Sequence, residues 1–210
     1  MGNKLLSFLI FIAMNVAGCS IITPEPSQAI EVYTLSPNSL EAGASVESKA
    51  DNAVVLALST IRSSRALMSP DIIYRDSKYG YDSYAYSRWS DSPAKLLEIV
   101  LQQALFQNRS ISAVIPREIS PADLSLETTL LDFSHHIQNN DTSMGRVALH
   151  VYLIDSQTKA VLANEAFSAE VLAAPRNAQG ATTALNQASR IVVEQVNSWL
   201  DKRITSLGKQ

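Results

Sequence analysis

The sequence predicts an α+β fold, a two-layer sandwich in which a mainly antiparallel sheet packs against two helices. Three observations support this fold class. Short apolar or alternating runs occur on both sides of a predicted helix, a Ser-Pro step at residues 92–93 opens that helix, and a long amphipathic segment at 178–205 follows the last strands. Helices and strands with one apolar side bury that side against each other, which gives two layers.

Strand-like runs occupy the chain before the first helix. Residues 53–58 (Ala-Val-Val-Leu-Ala-Leu) form a continuous apolar run, which is typical of a strand covered on both faces. Residues 31–36, 72–75 and 81–86 are shorter predicted strands. Tyr84 and Tyr86 are two residues apart, so the sequence predicts that they share one face of a strand.

The first helix is predicted from residue 93 to about residue 107. The Ser92 hydroxyl is placed to cap free backbone N–H groups, and Pro93 suits the first helical position because it has no N–H to leave unpaired. Apolar residues then recur at the helical period, at Leu96, Leu97, Val100, Leu101, Ala104 and Leu105.

The second half of the chain combines strands with a final helix. Residues 111–115 form a strand closed by Pro116, and residues 123–133 alternate between apolar and polar side chains. Residues 146–154 and 159–171 are two more strands, and the polar link at 155–158 between them predicts a hairpin. The final helix has a predicted buried line at Ala181, Leu185, Ala188, Val192, Val196 and Trp199.

The amino terminus has the parts of an export signal. Lys4 precedes an apolar stretch of ten residues, which is shorter than the roughly 20 residues that span a bilayer. Residues 16–19 (Val-Ala-Gly-Cys) resemble the lipobox of bacterial lipoproteins. That resemblance implies that residues 1–18 are a signal peptide and that Cys19 is lipidated with a diacylglycerol and an N-acyl chain such as palmitate. The alternative is a membrane-buried cysteine in an uncleaved signal anchor.

The expected domain organisation follows from this signal. Residues 19–30 contain two prolines and form a lipidated tether, and residues 31–206 form a single α+β domain. Ser20 follows the lipidated cysteine, where an aspartate would retain a lipoprotein in the inner membrane, so the sequence favours the outer membrane.

Charge and cysteine content exclude several classes of function. The net charge is −3 and basic residues do not cluster, which argues against a nucleic-acid partner and against a broad basic surface for anionic lipids. Cys19 is the only cysteine. Once Cys19 is acylated, the chain has no thiol for a disulfide, a redox couple or a thiolate metal site.

Several segments together suggest a family. The most specific is residues 84–93 (Tyr-Ala-Tyr-Ser-Arg-Trp-Ser-Asp-Ser-Pro), and weaker ones are residues 33–35, 67–75, 173–174, 184–188 and 199–200. Over residues 33 to about 204 the chain resembles the auxiliary lipoproteins of ABC-type transport systems, which include the lipoprotein of the paraquat-inducible intermembrane transport system. The loop after Arg75 and residues 58–65 depart from the family pattern.

The resemblance implies a non-catalytic accessory role. Members of this family accompany transporters that carry MCE-domain proteins and move phospholipid between the inner and outer membranes. We therefore expect an outer-membrane lipoprotein that faces the periplasm and docks an MCE-domain channel protein. Two alternatives remain open, a periplasmic module that binds lipid or an envelope polymer, and a structural lipoprotein that assembles with itself as a homo-oligomer.

The segment that carries the family resemblance also supplies the candidate partner-binding residues, which are Tyr84, Tyr86, Arg88 and Trp89. Arginine and aromatic side chains are enriched at the centres of protein interfaces. The competing interpretation is that Trp89 fills the junction between sheet and helix while Arg88 pairs with an acid such as Asp91.

No motif predicts catalysis, a metal or a bound cofactor. The sequence has no G-x-S-x-G elbow, no P-loop and no dinucleotide-binding glycine pattern. Glu165 and Glu170 fall in a strand, and nothing in the pattern indicates that either is buried. His135, His136 and His150 lack the spacing of a zinc site, and adjacent strand residues point to opposite faces. We expect these histidines to be solvated side chains at a strand end.

Overall fold

A computed structural model describes residues 28–36, 49–50, 52–76, 79–117, 121–138 and 142–208. Cys19, Ser20 and the rest of residues 1–27 lie outside the described residues. The signal peptide, the lipidation of Cys19 and most of the tether therefore remain predictions.

The described part of the chain forms nine strands, one 3₁₀ helix and two α-helices. The strands are β1 (Glu31–Tyr33), β2 (Val54–Leu58), β3 (Arg62–Ser63), β4 (Asp71–Arg75), β5 (Asp82–Trp89), β6 (Ile111–Pro116), β7 (Leu124–Ile137), β8 (Ser143–Asp155) and β9 (Val161–Leu172). The helices are the 3₁₀ helix Arg65–Met68, α1 (Pro93–Phe106) and α2 (Ala178–Leu207).

Strand β7 is the centre of the sheet. Its whole length pairs antiparallel with β8, which pairs antiparallel with β9. The opposite edge of β7 pairs parallel with β2, β3 and β4 in succession, with Leu56 opposite Leu124 and Tyr74 opposite His135. Beyond these strands, β2 pairs with β6, and β4 pairs with β5, which pairs with β1.

The prediction of an α+β fold with two helices is confirmed, but the prediction of a mainly antiparallel sheet is only partly right. Antiparallel pairing joins β7 to β8, β8 to β9 and β4 to β5. The other pairs are parallel. For the three parallel pairs with β7, the physical reason is that the chain from residue 54 to residue 75 does not reverse direction. It advances along β7 in three short strands and so pairs in parallel each time.

The two helices bury their apolar stripes against the sheet and against each other. Fully or nearly fully buried residues include Leu97, Leu101 and Leu105 of α1 and Val192, Val196 and Leu200 of α2. Pro93 stands at the start of α1 as predicted, but within the described part of the chain the Ser92 side chain makes no capping hydrogen bond. In α2 the Asn177 side chain accepts a hydrogen bond from the Gly180 N–H at 3.0 Å. Within the described residues, neither helix is long and apolar enough to cross a membrane.

Gly145 of β8 allows α2 to lie close to the sheet. A Cβ atom at this position would lie 2.8 Å from the Ala184 Cβ and 2.8 Å from the Leu185 backbone nitrogen. Glycine in a strand often marks such a close backbone approach. The absence of a side chain at Gly145 therefore fixes the distance between β8 and the first turns of α2.

The segment after β1 is held on α2 by one side chain. The Asn186 Oδ1 accepts a hydrogen bond from the Ser36 N–H at 2.8 Å, and the Asn186 Nδ2 donates one to the Thr34 carbonyl at 3.1 Å. Leu35 between them is buried. We call this arrangement the Asn186 clasp. It joins residues 34–36 to a helix 150 positions later in the chain.

Candidate functional site

Strand β5 carries the four residues predicted to bind a partner, and the structure separates them. Tyr86 is 53% exposed and Arg88 is exposed, whereas Trp89 is 1% exposed and Tyr84 is half-buried. Near the end of the strand, Ser87 and Trp89 point inward and Tyr86 and Arg88 point outward, as the two-residue period of a strand requires. Tyr86 and Arg88 are therefore available for a partner.

Trp89 is a core residue in the structure. Its ring packs edge-on against Phe133, with ring centroids 5.5 Å apart and an interplanar angle of 73°. Its backbone N–H donates to the Pro70 carbonyl at 2.7 Å. No ion pair joins Arg88 to Asp91 among the described residues, and the Asp91 carboxylate accepts a hydrogen bond from the Ser92 N–H instead.

Tyr84 belongs to a cleft at the other end of β5. Its ring lies 5.2 Å from the ring of Tyr74, and its hydroxyl is 2.8 Å from the Nδ1 of His135. The cleft is open and has a volume of about 830 Å³. Its walls are formed by Tyr74, Asp76, Asp82, Ser83, Tyr84, Ala85, Ile137, Gln138 and Arg176.

His135 lies fully buried behind Tyr84, so the expectation that it is solvated is wrong. Strand β7 extends to Ile137 rather than ending near residue 133, and a bulge between Leu130 and Asp132 changes which side chains face inward. Burial, together with smaller contributions from the nearby charges of His136 and Arg176, lowers the pKa of His135 to about 4. The His135 ring is therefore neutral at pH 7. Burial also raises the pKa of Tyr84, which keeps its hydroxyl protonated.

We expect the stability of this domain to fall as the pH is lowered from about 6.5 to about 4. In that range the unfolded state binds a proton at His135 and the native state does not, because the pKa is 6.5 in the unfolded chain and about 4 in the native one. At about 1.4 kcal/mol per pKa unit, the loss approaches roughly 3 kcal/mol by pH 4. Thermal unfolding of the native chain and of a His135→Gln variant, measured from pH 7 to pH 4, checks this.

The matched control for this prediction is His150→Gln, since the His150 side chain is half-exposed and contacts Asn164 at 3.2 Å. The pH dependence of His150→Gln should match that of the native chain, whereas that of His135→Gln should be flatter. An equal slope in all three proteins would contradict the assignment to His135.

A polar cluster on β7 and β8 contains a serine, a histidine and an aspartate. The Ser134 hydroxyl donates to Asp132 at 2.5 Å, and the His136 Nε2 lies 3.0 Å from both Ser134 and Asp132. Burial alone raises the pKa of Asp132, but hydrogen bonds from His136 and Ser134 outweigh it and hold that pKa below its ordinary value. Arg146 adds an ion pair to Glu170 at 2.8 Å.

The geometry of this polar cluster is that of an ion-pair network rather than a catalytic triad. In a triad the two ring nitrogens of the histidine contact different partners, whereas here the Nε2 of His136 contacts both Ser134 and Asp132. Glu165 and Glu170 lie exposed on β9. In the part of the chain that the structure describes, no group of three or more His, Cys, Asp or Glu side chains converges as for a metal ion.

The family of this chain follows from a comparison with known protein families. Residues 33–197 match the family described as the ABC-type transport auxiliary lipoprotein component. The chain belongs to this family. None of the curated proteins compared with this auxiliary lipoprotein matches it.

Solved structures share the fold of the auxiliary lipoprotein. Protein XCC0632 from Xanthomonas campestris has a TM-score of 0.74 at 18% identity, with 87% of this chain and 99% of that chain covered. The hypothetical protein CT253 from Chlamydia trachomatis has a TM-score of 0.52 at 8% identity, with 73% and 99% covered. Identities this low show a common fold only.

The segments that carry the family resemblance meet in space. In the Asn186 clasp, the Thr34 carbonyl of the segment 33–35 accepts a hydrogen bond from Asn186 of the segment 184–188. The Pro70 carbonyl of the segment 67–75 accepts a hydrogen bond from Trp89 of the segment 84–93. Four of these segments are therefore in contact where β1, β4, β5 and α2 meet.

Proposed function

We propose that this auxiliary lipoprotein is a non-catalytic, outer-membrane accessory of an MCE/ABC-type intermembrane lipid transport system. Cys19 anchors it, and the domain faces the periplasm and docks the periplasmic channel protein. The observation that carries the proposal is the match of residues 33–197 to a family of transport auxiliary lipoproteins. A match over most of the domain supports an accessory role rather than a reaction of its own.

The docking surface we propose consists of Val32, Tyr86 and Arg88, which we call the β5 surface. Val32 is 55% exposed and lies opposite Arg88 where β1 pairs with β5. An aromatic ring, a guanidinium and an aliphatic side chain on one face resemble the centres of protein interfaces. Trp89 supports this surface from beneath and does not contact the partner.

The position of the β5 surface suits a protein held at a membrane. Strand β1, which carries Val32, is the first described strand after the tether. The chain from Cys19 to Glu31 spans at most about 40 Å when fully extended. A channel that reaches the membrane therefore meets the β5 surface close to the point of anchoring.

In-cell photocrosslinking tests this function. A photoreactive residue in place of Tyr86, in the full chain with Cys19 intact, is expected to capture an MCE-domain protein. The matched control is the same residue in place of Tyr81, which is 58% exposed and lies before the start of β5. Capture at Tyr86 but not at Tyr81 is the expected result. Failure to capture an MCE-domain protein at Tyr86, or equal capture at both positions, would contradict the proposed docking surface.

The open cleft at Tyr84 favours a second candidate function, the binding of lipid or an envelope polymer. It combines the rings of Tyr74 and Tyr84 with one basic and two acidic side chains, Arg176, Asp76 and Asp82. Such a mixture suits a ligand that has both polar groups and apolar surface. Recovery of lipid rather than protein from a photoreactive residue at Tyr84 would favour this function over docking.

A further inference from the structure

Strand β9 forms a long open edge of the sheet. It has 12 residues, and among the described residues it pairs only with β8. Edge strands are normally short or carry lysine or proline, which prevents pairing with other chains. Residues 161–172 contain neither lysine nor proline and carry two charged residues, Glu165 and Glu170. Val161 and Leu172 at the two ends are 56% and 61% exposed.

A groove of about 710 Å³ runs between β9 and α2. In it the ring of Phe167 on β9 packs edge-on against that of Trp199 on α2, with centroids 6.0 Å apart. The indole N–H of Trp199 is buried and has no hydrogen-bond partner among the residues that the structure describes. The groove is lined by Glu165, Ala166, Phe167, Ser168, Ile191, Glu194, Gln195, Ser198, Trp199 and Lys202.

The two charges that α2 contributes to the groove lie at equal distances from its middle, and Glu165 of β9 adds a third charge. Glu194 precedes Ser198 by four residues and Lys202 follows it by four, and all three side chains are exposed. A two-fold axis at this level brings Glu194 of each copy towards Lys202 of the other. In that arrangement two Glu194–Lys202 ion pairs form across the axis, and neither Glu194 nor Lys202 faces its own copy.

The same axis suits strand β9. In an antiparallel pairing of β9 with itself centred on Phe167, Glu165 lies opposite Ala169 and Glu170 lies opposite Asn164. No carboxylate then faces another across the strand pair, where like charges destabilise a sheet. A single two-fold axis is therefore compatible with both the open edge of β9 and the groove between β9 and α2.

Distances across the sheet allow the helices to meet as well. Helix α2 lies over both β8 and β9, since Gly145 touches Ala184 and Phe167 touches Trp199. Strands are about 4.8 Å apart, so continuing the sheet through β9 places the two α2 helices about 10 Å apart. That separation is at the upper end of the range at which helices pack, about 8 to 10 Å.

We propose that this chain forms a two-fold dimer in which β9 of one copy pairs antiparallel with β9 of a second copy. The two α2 helices then lie antiparallel beside each other, with Phe167 and Trp199 of both copies at the centre. Such an interface is isologous and closes at two copies.

Exchanging the charges of Glu194 and Lys202 tests the proposed dimer. Glu194→Lys and Lys202→Glu each place like charges across the axis, whereas the double variant restores opposite charges. Sedimentation of the full acylated chain in detergent micelles measures the mass. We expect a dimer for the native chain and the double variant, and a dissociation constant at least about tenfold higher for each single variant. A monomeric native chain, or a double variant no tighter than the singles, overturns the proposal.

Crosslinking in cells supplies an independent readout of the symmetry. A photoreactive residue in place of Ser198 is expected to give a product with the mass of two chains. The control position is Ile99, which is 41% exposed on α1 and lies outside the groove. Products of three or more chains from Ser198, or a product with a different protein alone, would overturn the two-fold interface.

Discussion

Replacing Trp89 by alanine is expected to lower the free energy of unfolding by about 3 to 5 kcal/mol. The indole is 1% exposed and packs against Phe133 at the junction of β5 with the core, so truncation leaves a cavity that neighbouring side chains fill only in part. At about 2 to 4 °C per kcal/mol for a domain of this size, the melting temperature falls by roughly 6 to 20 °C. Thermal and denaturant unfolding measure this loss.

Tyr86→Ala is the matched control for Trp89→Ala. It removes an aromatic side chain three residues earlier on the same strand, where the ring is 53% exposed. An exposed substitution usually changes stability by about 0.5 kcal/mol or less. If Trp89→Ala kept the native melting temperature, the assignment of Trp89 to the core would be wrong. If the stable Tyr86→Ala protein no longer co-purified with an MCE-domain protein, that loss would instead report on docking.

Gly145→Ala is expected to destabilise the domain by about 1 to 3 kcal/mol or more, the cost of overpacking a tightly packed site. The new Cβ would lie 2.8 Å from the Leu185 nitrogen and 2.9 Å from the Ala184 carbonyl carbon. Both are backbone atoms of a helix and move only if the helix moves. We expect a lower denaturant midpoint and faster amide exchange in the first turns of α2.

Gly208→Ala is the control for the added methyl group. A Cβ at Gly208 would meet the Asn52 side-chain nitrogen at 2.6 Å, and that side chain can move away. Its backbone φ is −72°, which any residue adopts. Equal stability of the two alanine variants would contradict the close approach of α2 to β8.

Local signals predicted the helices and the β8–β9 hairpin well. The step from Ser92 to Pro93 begins α1 at the predicted residue, and the apolar stripe of α2 is buried as expected. These features depend on residues within one or two helical turns, or on either side of a short loop. Their periodicity is therefore visible in the sequence.

The pairing of the remaining strands depends on distant residues and was not visible. Nothing in residues 54–75 indicates that three short strands line one edge of β7. The bulge between Leu130 and Asp132 also has no local signal, yet it decides that His135 is buried. The Asn186 clasp connects positions 150 residues apart and was found only as two separate family segments.

For the candidate site, the alternation of side chains along a strand separates the residues at the end of β5. Adjacent residues on a strand face opposite ways, so Arg88 and Trp89 cannot both lie on one contact surface. That rule, applied to the sequence, separates Trp89 from Tyr86 and Arg88. It does not reveal which of the two faces is covered, because that depends on Phe133 from a strand over 40 residues later.

The Asn186 clasp has a mechanical consequence for a protein held by its amino terminus. A pull on the chain before residue 28 reaches the domain first at β1, whose three residues pair with β5 and with no other described strand. Those few hydrogen bonds are the first to carry the load. The next resistance is buried Leu35 together with the paired hydrogen bonds of Asn186. The load then passes to α2, a 30-residue helix whose apolar side is buried in the core. A pull on the tether therefore does not act directly on the central strands of the sheet.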